Sequence, residues 1–332
     1  MTSALLAETT SAPATHPRLD DLVRRARERA ADAPQRIALV YPCDSAAIGA
    51  AARIIDAQLA LPVLVGPRAA IAQAALAAGI DIARFEIVDT AGEPGSAGGP
   101  RADAAPAEAA RRAVALAREG SVSALMKGAL HTDELMSAVV DRETGLRGAR
   151  RISHVFLFDL PCYPKLLGLA DCVVNIAPDL KTKHEILGNA VGLLQRLGIA
   201  QPKVGILAAV EWVNPAIPAT LDAQALVDAA KAGAWPGALV EGPCGFDNAI
   251  CAKAARIKKM ESQVSGDADL LVVPDLNAGN MLYKSFNYVG GGECAGLVLG
   301  ARVPIVLTSR SDSLLARIAS VALAVLAMPR AR

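Results

Sequence analysis

Aromatic side chains are scarce, only 3% of the 332 residues, with two Trp, four Tyr and five Phe. Any core must therefore be aliphatic and alanine-rich, in keeping with a hydrophobic fraction of 53%. Neither sign of charge is in excess. The formal net charge is +1, which excludes the electrostatic footprint of a nucleic-acid or anionic-membrane binder. The six cysteines (Cys43, Cys162, Cys172, Cys244, Cys251 and Cys294) include no CxxC pair. They are expected to be free, reduced thiols of a cytoplasmic protein rather than a disulfide framework. His16, His131, His154 and His184 lack zinc-ligand spacing, and no metal site is expected. No basic segment followed by a long apolar run opens the chain, so no secretory signal is read there. The longest apolar helix expected, Leu314–Met328, carries Arg317 and is shorter than the roughly 20 residues that cross a bilayer. No GxGxxG follows the first strand, and there is no P-loop and no GxSxG. The Rossmann dinucleotide, Walker and acyl-serine readings are thereby removed.

What is present is a β–α alternation. After a loose tail to about Leu19, Asp20–Ala33 reads as a charged surface helix. Strands are expected at Ile37–Val40, Pro62–Val65, Phe85–Val88, Val122–Met126, His154–Phe158, Cys172–Ile176, Val204–Ala208, Ala238–Val240, Leu270–Val273 and Val303–Val306. Helices are expected from Asp44-Ser45 to about Leu59, and at Ala105–Glu119, Lys181–Leu197, Ala223–Ala232, Asp247–Lys259, Asn277–Tyr288 and Leu314–Met328. Gly92–Gly99 reads as a surface loop. Such alternation implies parallel strands, right-handed crossovers and helices on both sheet faces. The length allows two domains, and Asp141–Arg151 reads as a crossing between two lobes.

Polar residues crowd the junctions where strands hand over to helices. VPIVLTSRSDSLLA (Val303–Ala316) places Ser309, Arg310 and Asp312 between a strand and a helix start, where ligands bind in open α/β sheets. Backbone N–H groups there favour an anion, and Arg310 can clamp a phosphate bidentately. Ser311, Asp312 or Ser313 can equally serve as a helix cap. Lys127 ends a strand, with His131 and the potential cap Thr132 just beyond it. After Leu270–Val273, Asn277 can cap a helix while Asn280 and Lys284 share its face. Gly279 permits close approach of a ligand or of another backbone. Glu241 with Asp247-Asn248, and Glu211 with Asn214, repeat the arrangement.

At these junctions the sequence resembles the phosphate acetyltransferase and phosphate butyryltransferase family. The stretches that carry the resemblance are LMKGALHTDEL (Leu125–Leu135), ARRISHVFLFDLP (Ala149–Pro161), NIAPDLKTK (Asn175–Lys183), AAVEWVNPAIPATLDA (Ala208–Ala223), VEGPCGFDNAI (Val240–Ile250), VSGDADLLVVPDLNAGNMLYK (Val264–Lys284) and VLGARVPIVLTSRSDS (Val298–Ser313). They look most like the butyryl-type branch, and like the phosphate acetyltransferase part of fusions with an enoyl-CoA hydratase-like domain. The resemblance implies two α/β/α lobes with a cleft between them, an architecture like isocitrate and isopropylmalate dehydrogenases. The last strand and helix would return to the first lobe, giving residues 1–146 plus 294–332 and residues 147–293. It implies a homodimer with coenzyme A as a substrate, not a tightly bound cofactor. The partners implied are acetyl-CoA or another short acyl-CoA, inorganic phosphate and the acyl phosphate. The implied chemistry is direct attack of a CoA thiolate on the acyl phosphate, without metal or acyl-enzyme. Ser309 and Arg310 match the family's Ser-Arg pair.

Two departures follow from the same comparison. The aspartate that acetyl-type members carry seven positions after that serine is Ala316 here, so Asp312, by proximity, is the candidate base. An arginine of those members falls near Ser137, so its anion-binding task passes to Lys127, Arg147 or Arg151. Two alternatives stand beside this reading. One is a non-catalytic CoA- or acyl-binding homologue. The other is a metal-dependent hydroxy-acid dehydrogenase with Asp267 and Asp269 as ligands.

Overall fold

A computed structural model describes residues 15–91, 104–309 and 312–329. Most of the expected tail, the Gly92–Gly99 loop, Arg310 and Ser311 lie outside the described residues. The strands in chain order are β1 (Arg36–Val40), β2 (Leu61–Gly66), β3 (Glu86–Asp89), β4 (Ala124–Lys127), β5 (Ser153–Asp159), β6 (Leu167–Ala170), β7 (Lys203–Leu207), β8 (Leu239–Cys244), β9 (Leu270–Val272), β10 (Glu293–Leu299) and β11 (Ile305–Val306). The helices are α1 (Pro17–Asp32), α2 (Ser45–Asp56), α3 (Arg68–Ala78), α4 (Ala105–Arg118), α5 (Thr132–Val140), α6 (Leu180–Arg196), α7 (Pro218–Lys231), α8 (Phe246–Ile250), α9 (Ala252–Ile257), α10 (Leu276–Tyr288) and α11 (Leu314–Ala327).

All eleven strands join one mixed sheet in the order β3-β2-β1-β4-β11-β10-β5-β6-β9-β7-β8. The run β3 to β11 is parallel. Direction then reverses between β11 and β10, between β10 and β5, and between β5 and β6. After these reversals β6, β9, β7 and β8 are again parallel to one another, but they run against the first group. The alternation in sequence implies parallel βαβ units, which both outer groups of strands form; the central reversals are not part of that expectation. One correction concerns Cys172–Ile176, which is not a strand. The Asp171 carboxylate accepts the N–H groups of Val173 and Val174 and the Asn175 side-chain amide. A local side chain thus takes the donors that a ladder would use. The strand of this region is the preceding β6, and the expected helix Asp247–Lys259 divides into α8 and α9 at Cys251.

Successive side chains of each strand face opposite ways, and this alternation sorts the core into three bodies. On one face a single aliphatic core runs beneath the whole sheet, from Ile37, Leu39 and Met126 through Leu297, Val155 and Leu157 to Val204 and Val272. Helix α11, apolar except at Arg317 and Ser320 and buried from Ala316 to Ala327, lies in it. On the other face the core is split. One part, with α4 and α5, holds Ala38, Val40, Leu125 and Ile305. The other, with α8 and α10, holds Phe156, Phe158, Leu169 and Leu271. The gap between these two bodies lies in front of β11, β10 and β5. Among the described residues no helix is long and apolar enough to cross a membrane, and the six cysteines are free thiols.

Helix α1 fastens the continuous face, and it begins at Pro17, ahead of the expected start. Asp159, at the end of β5, accepts the backbone N–H groups of Arg18 and Leu19 and pairs with the Arg18 guanidinium. Its carboxylate, 1% exposed, so satisfies the first-turn donors of α1 and complements the helix dipole. Asp159→Ala is expected to cost about 2 kcal/mol, less than a fully buried pair would, because Arg18 remains partly solvated. A urea-unfolding midpoint unchanged by this substitution would refute that reading.

Candidate active site

The gap contains a cavity of about 390 Å³. Its floor and walls include Lys127, His131, Thr132, Ser309 and Asp312 from the first parallel group, and Asn280, Tyr283 and Lys284 from α10. His154 and Phe156 of β5 face it from the sheet. Adjacent strands β4 and β11 both end here, so Lys127 and the Leu307–Ser309 loop emerge side by side. The buried Thr308 hydroxyl donates to the Lys127 carbonyl at 3.4 Å. Gly128 and Ala129 N–H groups donate to the carbonyls of Val40 and Tyr41, turning the chain away from the tip of β1. The Lys127 ammonium donates to the carbonyls of Gly128 and Leu130 at 3.3 and 3.0 Å.

Helix α10 reaches the site by its length rather than its start. It follows β9, which runs against β11, and its Asn280, Tyr283, Lys284 and Tyr288 line the cavity. Asn277, in the first turn, is exposed and does not line it. Nor does Asn277 cap the helix; Asp275 does, accepting Ala278 N–H at 3.0 Å. Gly279 is needed for a backbone and not for a ligand. A Cβ there would stand 2.8 Å from the Asp171 carbonyl oxygen. At α5 the cap position is His131, one residue before the expected Thr132, and its N–H donates to Glu134 at 2.7 Å.

The Ser309–Ser313 segment divides its duties. Ser313 caps α11, accepting Ala316 N–H at 2.9 Å. Asp312 accepts Ser309 N–H at 2.6 Å and lines the cavity. Burial pushes the Asp312 carboxyl above the usual carboxylate range, opposed by the Ser309 N–H and by the Arg317 and Lys127 charges. Arg317, which reads in sequence only as an interruption of an apolar helix, donates to the Ser309 carbonyl at 2.8 Å and to that of Asp312 at 3.4 Å. It ties the loop to the first turn of α11. Ala316 is buried.

Arg147 and Arg151 lie elsewhere. With Arg150, Val174 and Asn175 they line a second cavity of about 540 Å³, and Val173, the residue before Val174, lines the first. Arg147 donates to the Val140 carbonyl and Arg151 to the Asn175 side chain. The other polar junctions serve structure. Glu211 holds Asn248 and Lys258, and Glu241, inside β8, accepts from Ser262 and Gln263. Asp267 and Asp269 pair with Lys165, and Asp267 also with Lys203. The two lysines hold the Asp267 carboxyl below its usual range, so the ligand set of the dehydrogenase alternative is occupied by ammonium groups. His154, Phe156, Tyr283 and Tyr288 escape sequence reasoning. For the first two the signal is a histidine and two phenylalanines, His154, Phe156 and Phe158, alternating on one face of β5; the two tyrosines lie on α10.

Residues 100–325 match the family model described as "Phosphate acetyl/butaryl transferase". A phosphate acetyltransferase of Rhizobium meliloti is 47% identical over 320 residues, covering 96% of each chain. A phosphate butyryltransferase of Clostridium acetobutylicum is 36% identical over 264 residues, 80% of this chain and 83% of that one. Among solved structures, a branched-chain phosphotransacylase from Enterococcus faecalis V583 superposes with a TM-score of 0.74 at 28% identity. It covers 88% of this chain and 98% of that one.

Proposed function

The chain belongs to the phosphate acetyl/butyryl transferase family and is an acyltransferase; from that premise we propose that the β4–β11 cleft carries reversible transfer of a short acyl group between CoA and inorganic phosphate. The observation that carries this reading is one cavity holding a raised-pKa carboxylate, two lysines, a serine and an aromatic wall together. In the direction of acyl-CoA formation, Asp312 takes the proton of the CoA thiol, because the thiolate is the nucleophile. Sulfur attacks the acyl carbonyl carbon, the C–S bond forms and the C–O bond to phosphate breaks, releasing inorganic phosphate. Ser309 N–H is already committed to Asp312, so the Ser309 hydroxyl is the group assigned to the developing oxyanion. Arg310, placed by sequence alone, grips the phosphoryl group with Lys127 and Lys284. Both substrates bind together, and the gain comes from orientation.

The same reading places the phosphates of CoA by Arg147 and Arg151, in the second cavity. It keeps two lobes, residues 1–146 with 294–332 and residues 147–293, on a dehydrogenase-like plan, supported by the split core on the cleft face. It includes a homodimer, in keeping with the exposed Ile176 and Trp212.

Thiol release from acetyl-, propionyl- and butyryl-CoA, with and without inorganic phosphate, tests the function. Release that requires phosphate is the expected outcome for at least one of the three. CoA binding without phosphate-dependent release would favour the non-catalytic alternative.

A further inference from the structure

Among the described residues, His154 is a buried titratable side chain left without a hydrogen-bond partner. It is wholly buried in β5, and neither ring nitrogen is paired. Buried polar side chains nearly always find a partner, and leaving one without is destabilising. The ring nevertheless borders the cavity that holds Lys127, Asn280, Ser309 and Asp312. Its seat is built around it. The His154 and Phe156 rings lie 4.2 Å apart, and Phe156 stacks on Tyr283 at 4.4 Å. On the neighbouring β10, Gly296 makes the room. A Cβ there would stand 2.9 Å from His154 Cε1 and 2.7 Å from Phe156 Cε1.

Burial pushes His154 down to about 4, with Asp171 pulling weakly the other way. The imidazole is therefore neutral at pH 7 and carries one N–H donor and one acceptor. A donor among aromatic rings suits an uncharged acceptor rather than a phosphate, whose charge is met by Lys127 and Lys284 on the other walls. The remaining uncharged acceptor of this reaction is the acyl oxygen.

Building on the acyl-transfer reading, we propose that His154 is a further catalytic residue, its imidazole donating a hydrogen bond to the carbonyl oxygen of the acyl group during transfer. The histidine keeps its proton throughout; the thiol proton goes to Asp312, and phosphate departs with the electron pair of the broken C–O bond. A neutral imidazole that polarises a carbonyl avoids placing a full positive charge in an apolar wall. The Phe156–Tyr283 stack then borders the acyl chain beyond the carbonyl.

The test compares wild type, His154→Phe and His154→Gln in thiol release with saturating acyl-CoA and phosphate. His154→Phe is expected to lower kcat about 100-fold, the loss typical of an oxyanion donor. KM for phosphate should stay within about threefold, and Tm should not fall, since an apolar ring replaces an unsatisfied one. His154→Gln, which keeps an N–H, should recover about tenfold of the loss. An S-ethyl-CoA thioether, which lacks the carbonyl oxygen, should bind the Phe variant as it binds wild type. If the phenylalanine ring prevents folding, His154→Leu carries the same expectation. Wild-type kcat in a folded apolar variant would overturn the proposal, as would an equal kcat loss in the Gln and apolar variants. A wild-type enzyme without phosphate-dependent release would instead overturn the acyl-transfer reading on which the proposal rests.

Discussion

Asp312→Asn is expected to lower kcat for CoA acylation about 100-fold or more at pH 7, the contribution usual for a positioned base. The substitution is conservative in shape, since an amide oxygen can still accept Ser309 N–H, which Asp312 accepts at 2.6 Å. The loss should shrink as pH rises past about 8.5, where the thiol ionises without help. In wild type the acid limb of the profile should lie above the ordinary carboxylate range, because burial raises the Asp312 pKa. Stability should move the other way. A carboxyl whose folded pKa is raised contributes stability below its unfolded pKa, and loses that contribution as pH rises through the folded value. At pH 7 the ionised, half-buried group is a burden that asparagine lacks. The variant should therefore melt no lower than wild type at pH 7, with any gap narrowing as the pH falls into the carboxylate range. A loss of activity equal at pH 7 and pH 9.5 would remove Asp312 from the role of base.

The second large effect is expected at the Ser-Arg pair. Arg310→Ala should raise KM for phosphate about 10–100-fold, the scale of one charge-assisted hydrogen-bond pair to an anion. Ser309→Ala should leave that KM nearly unchanged and lower kcat about 100-fold. The contrast between the two is informative, since one side chain is assigned to ground-state binding and the other to the developing oxyanion. Steady-state kinetics with phosphate varied at fixed acyl-CoA separates them; near-normal constants in both variants would dismantle the assignment.

Much of this site can be read from the chain before it is folded. Lys127 ends an apolar run, Asn280 and Lys284 are spaced to share a helix face, and Ser309 and Asp312 sit between a strand and a helix. In the fold all of these meet. The reversal of direction at β10, β5 and β6 is not legible, because a strand buried on both faces reads the same whichever way it runs. That reversal is why Asn277 misses the cleft, and why the Glu211 and Glu241 junctions serve structure. The Cys172–Ile176 run misleads for a different reason. Its apolar residues suit a strand, but Asp171 withdraws the backbone donors into a turn. His154 escapes because one histidine on a strand carries no spacing; only its burial without a partner marks it. Arg317 escapes because an arginine at the start of an apolar helix looks like solubility, not a clamp on two carbonyls.

In the proposed reaction the acyl group passes directly between thiol and phosphate, with no covalent stop on the protein. Incubating the enzyme with acyl phosphate and isotopically labelled inorganic phosphate, in the absence of CoA, tests it most directly. Direct transfer predicts no label in the acyl phosphate beyond the uncatalysed rate. Label entering the acyl phosphate at a rate comparable to turnover would require an acyl-enzyme and would rule out direct transfer.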